Sequence, residues 1–276
     1  MGGSLGKSLV QAGACKEVRG LVRRAEVAEA AVRCKAADLA DTNPARVLKG
    51  AGVVVISTPV RTIERQISSL HEFMDTGTVL TDMGSVKRCI ISAMEGLPSR
   101  IRPVGGHPMC GKEISGLDAA DAELFRDKVW AIVPLQRSDP QAIRLVEEII
   151  EAVGARKIIM GAEVHDNAAA CISHLPYMLA ATLVAVADEN AKECPDVWRL
   201  ASSGFRDTSR VAAGNIRMMM DILFANRENV LRMLGLAGRQ IDDFIRLLET
   251  GDEEILKQKL SGIQKTRKTY QNLGAF

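Results

Sequence analysis

The 276-residue chain is 47% hydrophobic and 25% charged, the profile of an ordinary globular protein long enough for one large domain or two smaller ones. Its 36 basic and 34 acidic residues are interspersed, with a net charge of +2 and no block basic enough for nucleic acid or an anionic membrane surface. Small molecules are the ligands this leaves.

In chain order, the first signal is Gly2-Gly3-Ser4 running into Leu5-Gly6-Lys7-Ser8-Leu9. It reads as the end of a G-x-G-x-x-G turn with its helix, where absent side chains let the backbone approach a pyrophosphate at a helix N-terminus. On that reading the first strand and the first two glycines would lie ahead of Met1. The chain as given would then bind its dinucleotide weakly and be marginally stable. A β-branched run predicts the next strand at Val18–Val22, closed by Arg23 and Arg24. An acidic residue here suits the ribose hydroxyls of NAD, whereas arginine suits the 2′-phosphate of NADP. Further strands are predicted at Val53–Ser57, Thr78–Asp82, Arg102–Gly106, Val129–Pro134 and Arg156–Met160. Ser57-Thr58-Pro59 ends the first of these in a turn expected to edge the nicotinamide side of a crevice. Between strands lie helical periods, clearest at Arg61–Met74, where Ile63, Ile67, Leu70 and Met74 share a face. Strands alternating with helices predict a parallel sheet covered on both sides.

Past Gly161 the strand signals stop. Glu163–Asn190 is an Ala-rich run that predicts one long helix, with Pro176 as a candidate kink, and Ile216–Thr250 and Asp252–Leu273 predict further helices. The expected fold is an α/β Rossmann-like dinucleotide-binding domain over 1–161, its first strand apparently missing, followed by an all-α domain over 162–276. Six cysteines, at 15, 34, 89, 110, 171 and 194, form no CxxC pair and no metal-ligand spacing. No metal is expected, and the thiols read as reduced, as in a cytoplasm. No apolar run is read as reaching the roughly 20 residues of a membrane span.

Three segments carry candidate chemistry: Asp82-Met83-Gly84-Ser85-Val86-Lys87; GGHPMCGKEISG over 105–116; and SHLPY over 173–177 with GFRDTSR over 204–210. The first two begin where predicted strands end, which is where ligands gather in open α/β sheets. Residue by residue there is a plainer reading. His107 between Gly106 and Pro108 is a turn histidine, and Ser85 caps a helix beginning at Val86. Lys87 and Glu113 are surface residues, Arg206 and Asp207 a local pair, and His174 a packed, hydrogen-bonded residue.

In this order and spacing the segments resemble the prephenate and arogenate dehydrogenases, from Gly2 to about Asn229. The resemblance implies an enzyme that couples hydride transfer to NAD or NADP with loss of CO2 from a cyclohexadienyl alcohol. It implies His107 as the base for the hydroxyl proton and Ser85 as its neighbouring donor. Arg210 would grip the ring carboxylate with its planar fork, with Arg206, Glu113 and Tyr177 around the substrate. Gly2, Gly3, Ser4, Arg23, Arg24, Ser57, Thr58 and Pro59 would line the cofactor, and the helical domain would form a homodimer. Three positions depart from the family pattern: Tyr177 for a second histidine, Met219 for tryptophan and Ser209 for threonine. They leave prephenate versus arogenate open. A β-hydroxyacid-type dehydrogenase is the rival of the same fold class. It would use a lysine on the long helix, which has none before Lys192. A non-catalytic dimeric remnant lacking the cofactor strand is the rival from another class.

Overall fold

The structure, a computed structural model, describes residues 1–111 and 116–272. It opens directly in helix α1 (Gly2–Ala12), followed by β1 (Arg19–Leu21), α2 (Ala25–Arg33), β2 (Leu39–Asp41) and α3 (Pro44–Leu48). β1 and β2 pair in parallel as a two-stranded ladder of their own. A five-stranded sheet follows in the order β3 (Val53–Ile56), β4 (Val79–Asp82), β5 (Arg102–Pro108), β6 (Val129–Val133) and β7 (Arg156–Ile159). Helices α4 (Val60–Leu70), α5 (Arg88–Glu95) and α6 (Pro140–Ala152) connect its strands.

The expected parallel sheet holds for β3 to β5 and fails at β6, which runs antiparallel to β5. The connection explains this. The described residues between β5 and β6 form turns and no helix, so the chain returns beside the strand it left instead of crossing the sheet. Helix α6 then supplies a crossover, and β7 is parallel to β6.

Side chains alternate across β4 and so feed two cores. Leu80 joins Ile63 and Ile67 of α4 and Ile90 and Met94 of α5 in one. Val79 joins Leu5 and Leu9 of α1 and Val146 and Ile150 of α6 in the other, together with Phe125 and Trp130. Helices therefore cover both faces, as expected, and each fully buried aliphatic side chain contributes about 1.5–3 kcal/mol.

Beyond β7 the described chain is helical. Helix α7 (Ala162–Ala169), a π turn (Ala170–His174) and α8 (Leu175–Ala191) form one continuous rod. Pro176 lacks an N–H and its ring crowds the carbonyl four residues back, so the turn ahead of it widens, with the Leu175 N–H donating to Ala170 O. Then come α9 (Val197–Leu200), α10 (Ser203–Ser209), a 3-10 turn (Arg210–Ala213), α11 (Ile216–Ala225), α12 (Arg227–Thr250) and α13 (Glu253–Asn272). The stretch expected to be helical over 216–250 is two helices, separated at Asn226. By its contacts the chain divides into Met1–Arg227 and Glu228–Phe276.

The sequence reading of no membrane-length run needs correction. Ala162–Ala191 is a 30-residue helix long and apolar enough to span a bilayer, with mean hydropathy 1.7 in its most apolar window. Its first half also carries His165, Asp166 and His174, all buried, and their partners fix where that half lies.

Candidate active site

Asp82 ends β4 and is completely buried. Its Oδ2 accepts the Gly84 N–H at 2.8 Å and its Oδ1 accepts the Gly106 N–H at 3.1 Å. The Lys87 ammonium pairs with the same carboxylate and donates to Gly106 O at 2.7 Å. Lys87, expected at the surface, is therefore fully buried. Burial is tolerable because an opposite charge and a carbonyl share its protons. Gly106 is needed at this crossing: a Cβ there would sit 2.7 Å from Asp82 O and 3.0 Å from Trp130 Nε1. The ends of β4 and β5 are locked together, and His107 is the next residue on β5.

The His107 Nδ1 lies 2.8 Å from Nε2 of His165, and Nδ1 of His165 lies 2.8 Å from Oδ1 of Asp166. The two rings meet edge-on, at 65° with centroids 5.0 Å apart. Helix α5 begins at Arg88 and not at Val86, and Ser85 is not its cap. The Asp166 carboxylate takes that role from α7, accepting the Lys87 N–H at 2.6 Å and the Arg88 N–H at 2.9 Å. Ser85 stands half-buried in the turn between β4 and α5. Asn226, at the break between α11 and α12, donates from Nδ2 to Asp166 O at 2.7 Å and lies 3.3 Å from His174 Nδ1. His174 is packed and hydrogen-bonded, as expected.

Burial, then the neighbouring His165, Lys87 and His174, hold the His107 imidazole well below the ordinary histidine range, so it is neutral at pH 7. Burial likewise pushes His174 down to about 4, with Asp166 opposing the shift and His165 adding to it. Sequence reasoning did not single out His165 or Asp166. The available signal was an adjacent pair of ionisable residues near the start of an otherwise apolar helix.

The substrate candidates are more scattered. Tyr177 on α8 is partly buried against the core that holds Met219 and Ile222. A Cβ on Gly214 would stand 3.8 Å from its ring, which places Tyr177 beside the end of the Arg210–Ala213 turn. Arg210 opens that turn and is exposed. Arg206 is also exposed, its Nε 3.0 Å from Asp207 Oδ1, the local pair expected. Glu113 lies outside the described residues.

At the other end of the site, α1 presents its first turn to the end of β3. A Cβ on Gly2 would fall 2.2 Å from Ser57 Oγ, and one on Gly3 2.9 Å from Leu117 and 3.2 Å from Ala120. The amides of Gly2, Gly3 and Ser4 have no intrahelical carbonyl to donate to. A positive helix end against a serine, with no side chain between them, fits a dinucleotide pyrophosphate. The Ser4 side chain is otherwise employed, its Oγ accepting the Asp121 N–H at 3.1 Å. The Thr58 hydroxyl donates to Gln66 at 2.6 Å, and Pro59 precedes α4. Arg23 and Arg24 follow β1 and are exposed. Among the described residues no group of histidines, cysteines and carboxylates could hold a metal ion.

A family model described as "Prephenate dehydrogenase, nucleotide-binding domain" matches residues 5–159, and one described as "Prephenate dehydrogenase, dimerization domain" matches 161–262. The chain is 32% identical to the prephenate dehydrogenase of Bacillus subtilis over 99% of its own length and 73% of the relative's. Among solved structures, prephenate dehydrogenase from A. aeolicus in complex with hydroxyphenyl propionate and NAD+ aligns at a TM-score of 0.88 with 28% identity, covering 96% of this chain and 93% of that one. Synechocystis arogenate dehydrogenase aligns at 0.84, also 28% identical, covering 97% and 95%.

Proposed function

The chain belongs to the prephenate dehydrogenase family, and from that premise we propose that it oxidatively decarboxylates prephenate or arogenate with NAD or NADP as acceptor. The observation that carries this reading is His107. It is a neutral imidazole at the end of β5, tied into a buried network beside the Ser85 turn. A neutral imidazole can take the ring hydroxyl's proton, and only the neutral form can. Ser85 donates to the same hydroxyl and orients it. Arg210 binds the ring carboxylate, and Arg206 and Tyr177 lie on the substrate side. Departure of CO2 leaves an aromatic ring, so the reaction does not run back.

The cofactor, when bound, supplies the hydride acceptor. The amides of Gly2, Gly3 and Ser4, together with Ser57, would hold its pyrophosphate, with Thr58 and Pro59 beside them. Arg23 and Arg24 favour acceptance of the 2′-phosphate, so NADP is used at least as well as NAD. The chemical domains of this reading are 1–161 and 162–276.

The helices beyond 162 leave Ile172, Val186, Leu200, Ile216, Phe224 and Leu248 exposed. A second copy of the chain would cover such surface, and a homodimer is the assembly proposed. The six cysteines are all free thiols, in keeping with a reducing cytoplasm. The test is an absorbance assay at the reduced nicotinamide band, with prephenate and arogenate each offered against NAD and NADP. Turnover of at least one substrate is expected. No turnover of either would sink the reading.

A further inference from the structure

The hydrogen-bond chain behind His107 has a direction, and that direction follows from which atoms can only accept. Both oxygens of Asp166 already accept backbone N–H groups, Oδ1 from Lys87 and Oδ2 from Arg88. A carboxylate used in this way is an acceptor, so the contact from His165 Nδ1 to Asp166 Oδ1 at 2.8 Å is a donation by His165. A neutral imidazole protonated at Nδ1 carries its lone pair on Nε2. That nitrogen lies 2.8 Å from His107 Nδ1, a separation between two ring nitrogens that requires one hydrogen between them. The hydrogen therefore belongs to His107, and its own lone pair falls on Nε2.

We propose that His165 and Asp166 are positioning residues that lock His107 in the tautomer with Nδ1 protonated and Nε2 bare, and so choose the atom that receives the substrate proton. The proposal rests on His107 being the base. It adds which nitrogen acts and what fixes it. A ring free to exchange tautomers would spend part of its time with the proton already on the working nitrogen, where it can accept nothing.

The anchoring is shared with other parts of the site. The Asp166 carboxylate that orients His165 also caps α5, immediately after the Ser85 turn, so one group sets both the base and the strand-to-helix turn beside it. Asn226 holds the backbone of Asp166 in turn through its O. His165 is 3% exposed, so water does not compete for its nitrogens.

Two measurements separate this proposal from the functional reading. The chain has four histidines, so long-range 1H–15N spectra of the substrate-free protein can assign each ring, with His107→Asn identifying its signal. A protonated Nδ1 and a bare Nε2 on His107 are expected near neutral pH. The opposite tautomer, or a doubly protonated His165, overturns the proposal whatever the enzyme's activity. The second measurement compares His165→Leu with His165→Gln. Loss of the orienting acceptor should lower kcat on the order of 10–100-fold, the scale seen when a metal-bound imidazole loses its outer hydrogen-bond partner. KM and cofactor affinity should stay within about twofold, and glutamine, whose amide oxygen can still accept from Nδ1, should recover part of the loss. Equal rates in the two variants, or substrate and cofactor affinity falling together with kcat, would show that His165 only supports the fold.

Discussion

Around His107, the named polar groups are buried and each is hydrogen-bonded to another element: Asp82 to β5, Lys87 to Asp82 and Gly106, His165 to His107, and Asp166 to the start of α5. At the Gly2–Ser57 end the chain offers backbone amides and positions where a Cβ would not fit, and Arg23 and Arg24, which follow β1, are exposed. On the proposed function the two regions solve different problems. Moving a proton demands that single atoms be aimed, which takes a network of desolvated groups that hold one another. Accommodating an anion demands close approach, which the omission of side chains achieves. Changes in the first region should therefore damage chemistry or stability severely, and charge changes in the second should mainly alter preference.

Three substitutions or conditions sharpen the first half of this contrast. The largest effect is expected for His107→Asn, which keeps the shape but loses the base. Turnover should fall roughly 10²–10⁴-fold with KM and cofactor affinity little changed, as steady-state kinetics would show. More than a third of the parent rate would remove His107 from the mechanism. Next comes Lys87→Ala, which leaves the Asp82 carboxylate buried without its cation. Losing one partner of a buried pair costs about 3–5 kcal/mol, so denaturant unfolding should show a protein that is marginal or unfolded. A stability within about 1 kcal/mol of the parent would mean that water reaches Asp82.

Acid provides the third test. His174 is 1% exposed and its pKa is held at about 4, while in the unfolded chain it returns to about 6.5. Between these values the unfolded chain binds a proton that the folded chain refuses, so stability rises with pH there and falls on acidification. The contribution is fully present above about pH 6.5 and lost by about pH 4, and it amounts to on the order of 3 kcal/mol. His107 titrates in the same direction. The comparison to make is urea midpoints at the two ends of that window for the parent and for His174→Gln, whose dependence should be visibly flatter. Parallel curves would place the acid sensitivity in other groups.

The contrast also explains what the sequence disclosed. Strands β3 to β7 were legible because runs such as Val53–Ile56 and Val129–Val133 are β-branched and bounded by turn residues. Strand β2 was not, since Leu39–Asp41 is three residues long with no β-branched side chain. The reversal at β6 was hidden because strand direction is set by the connection and leaves no mark in the strand itself. His107 and Ser85 stood out through the motifs that carry the family resemblance, since taken singly they read as a turn histidine and a helix cap. His165 did not, because 58 residues separate it from the ring it touches and only the tertiary fold brings them together. Lys87 was misread because an exposed lysine is the ordinary case, and its buried partners again come from other strands. Gly2 and Gly3 stood out as glycines at a helix start, and the fold shows what crowds them: a Cβ on Gly2 would meet Ser57, and one on Gly3 would meet Leu117 and Ala120.

The smallest effect expected breaks the contrast if it proves large. Arg23 follows β1 and is exposed, so its charge is screened and it supports no part of the core. If it meets the 2′-phosphate of NADP, Arg23→Asp replaces attraction with repulsion there and offers the ribose hydroxyls of NAD an acceptor instead. Stability should hardly change, since surface substitutions of this kind usually stay within about 0.5 kcal/mol. The ratio of kcat/KM for NADP to that for NAD should fall by about tenfold, the loss of one charge-assisted contact at a wet site. The dependence on salt settles the cause: the parent's preference should weaken as ionic strength rises, and the variant's should not. A parent enzyme strictly dependent on NAD would show that Arg23 only solvates the turn. A variant that loses both cofactors and unfolds earlier would show that this end of the molecule is as tightly constrained as the reaction centre.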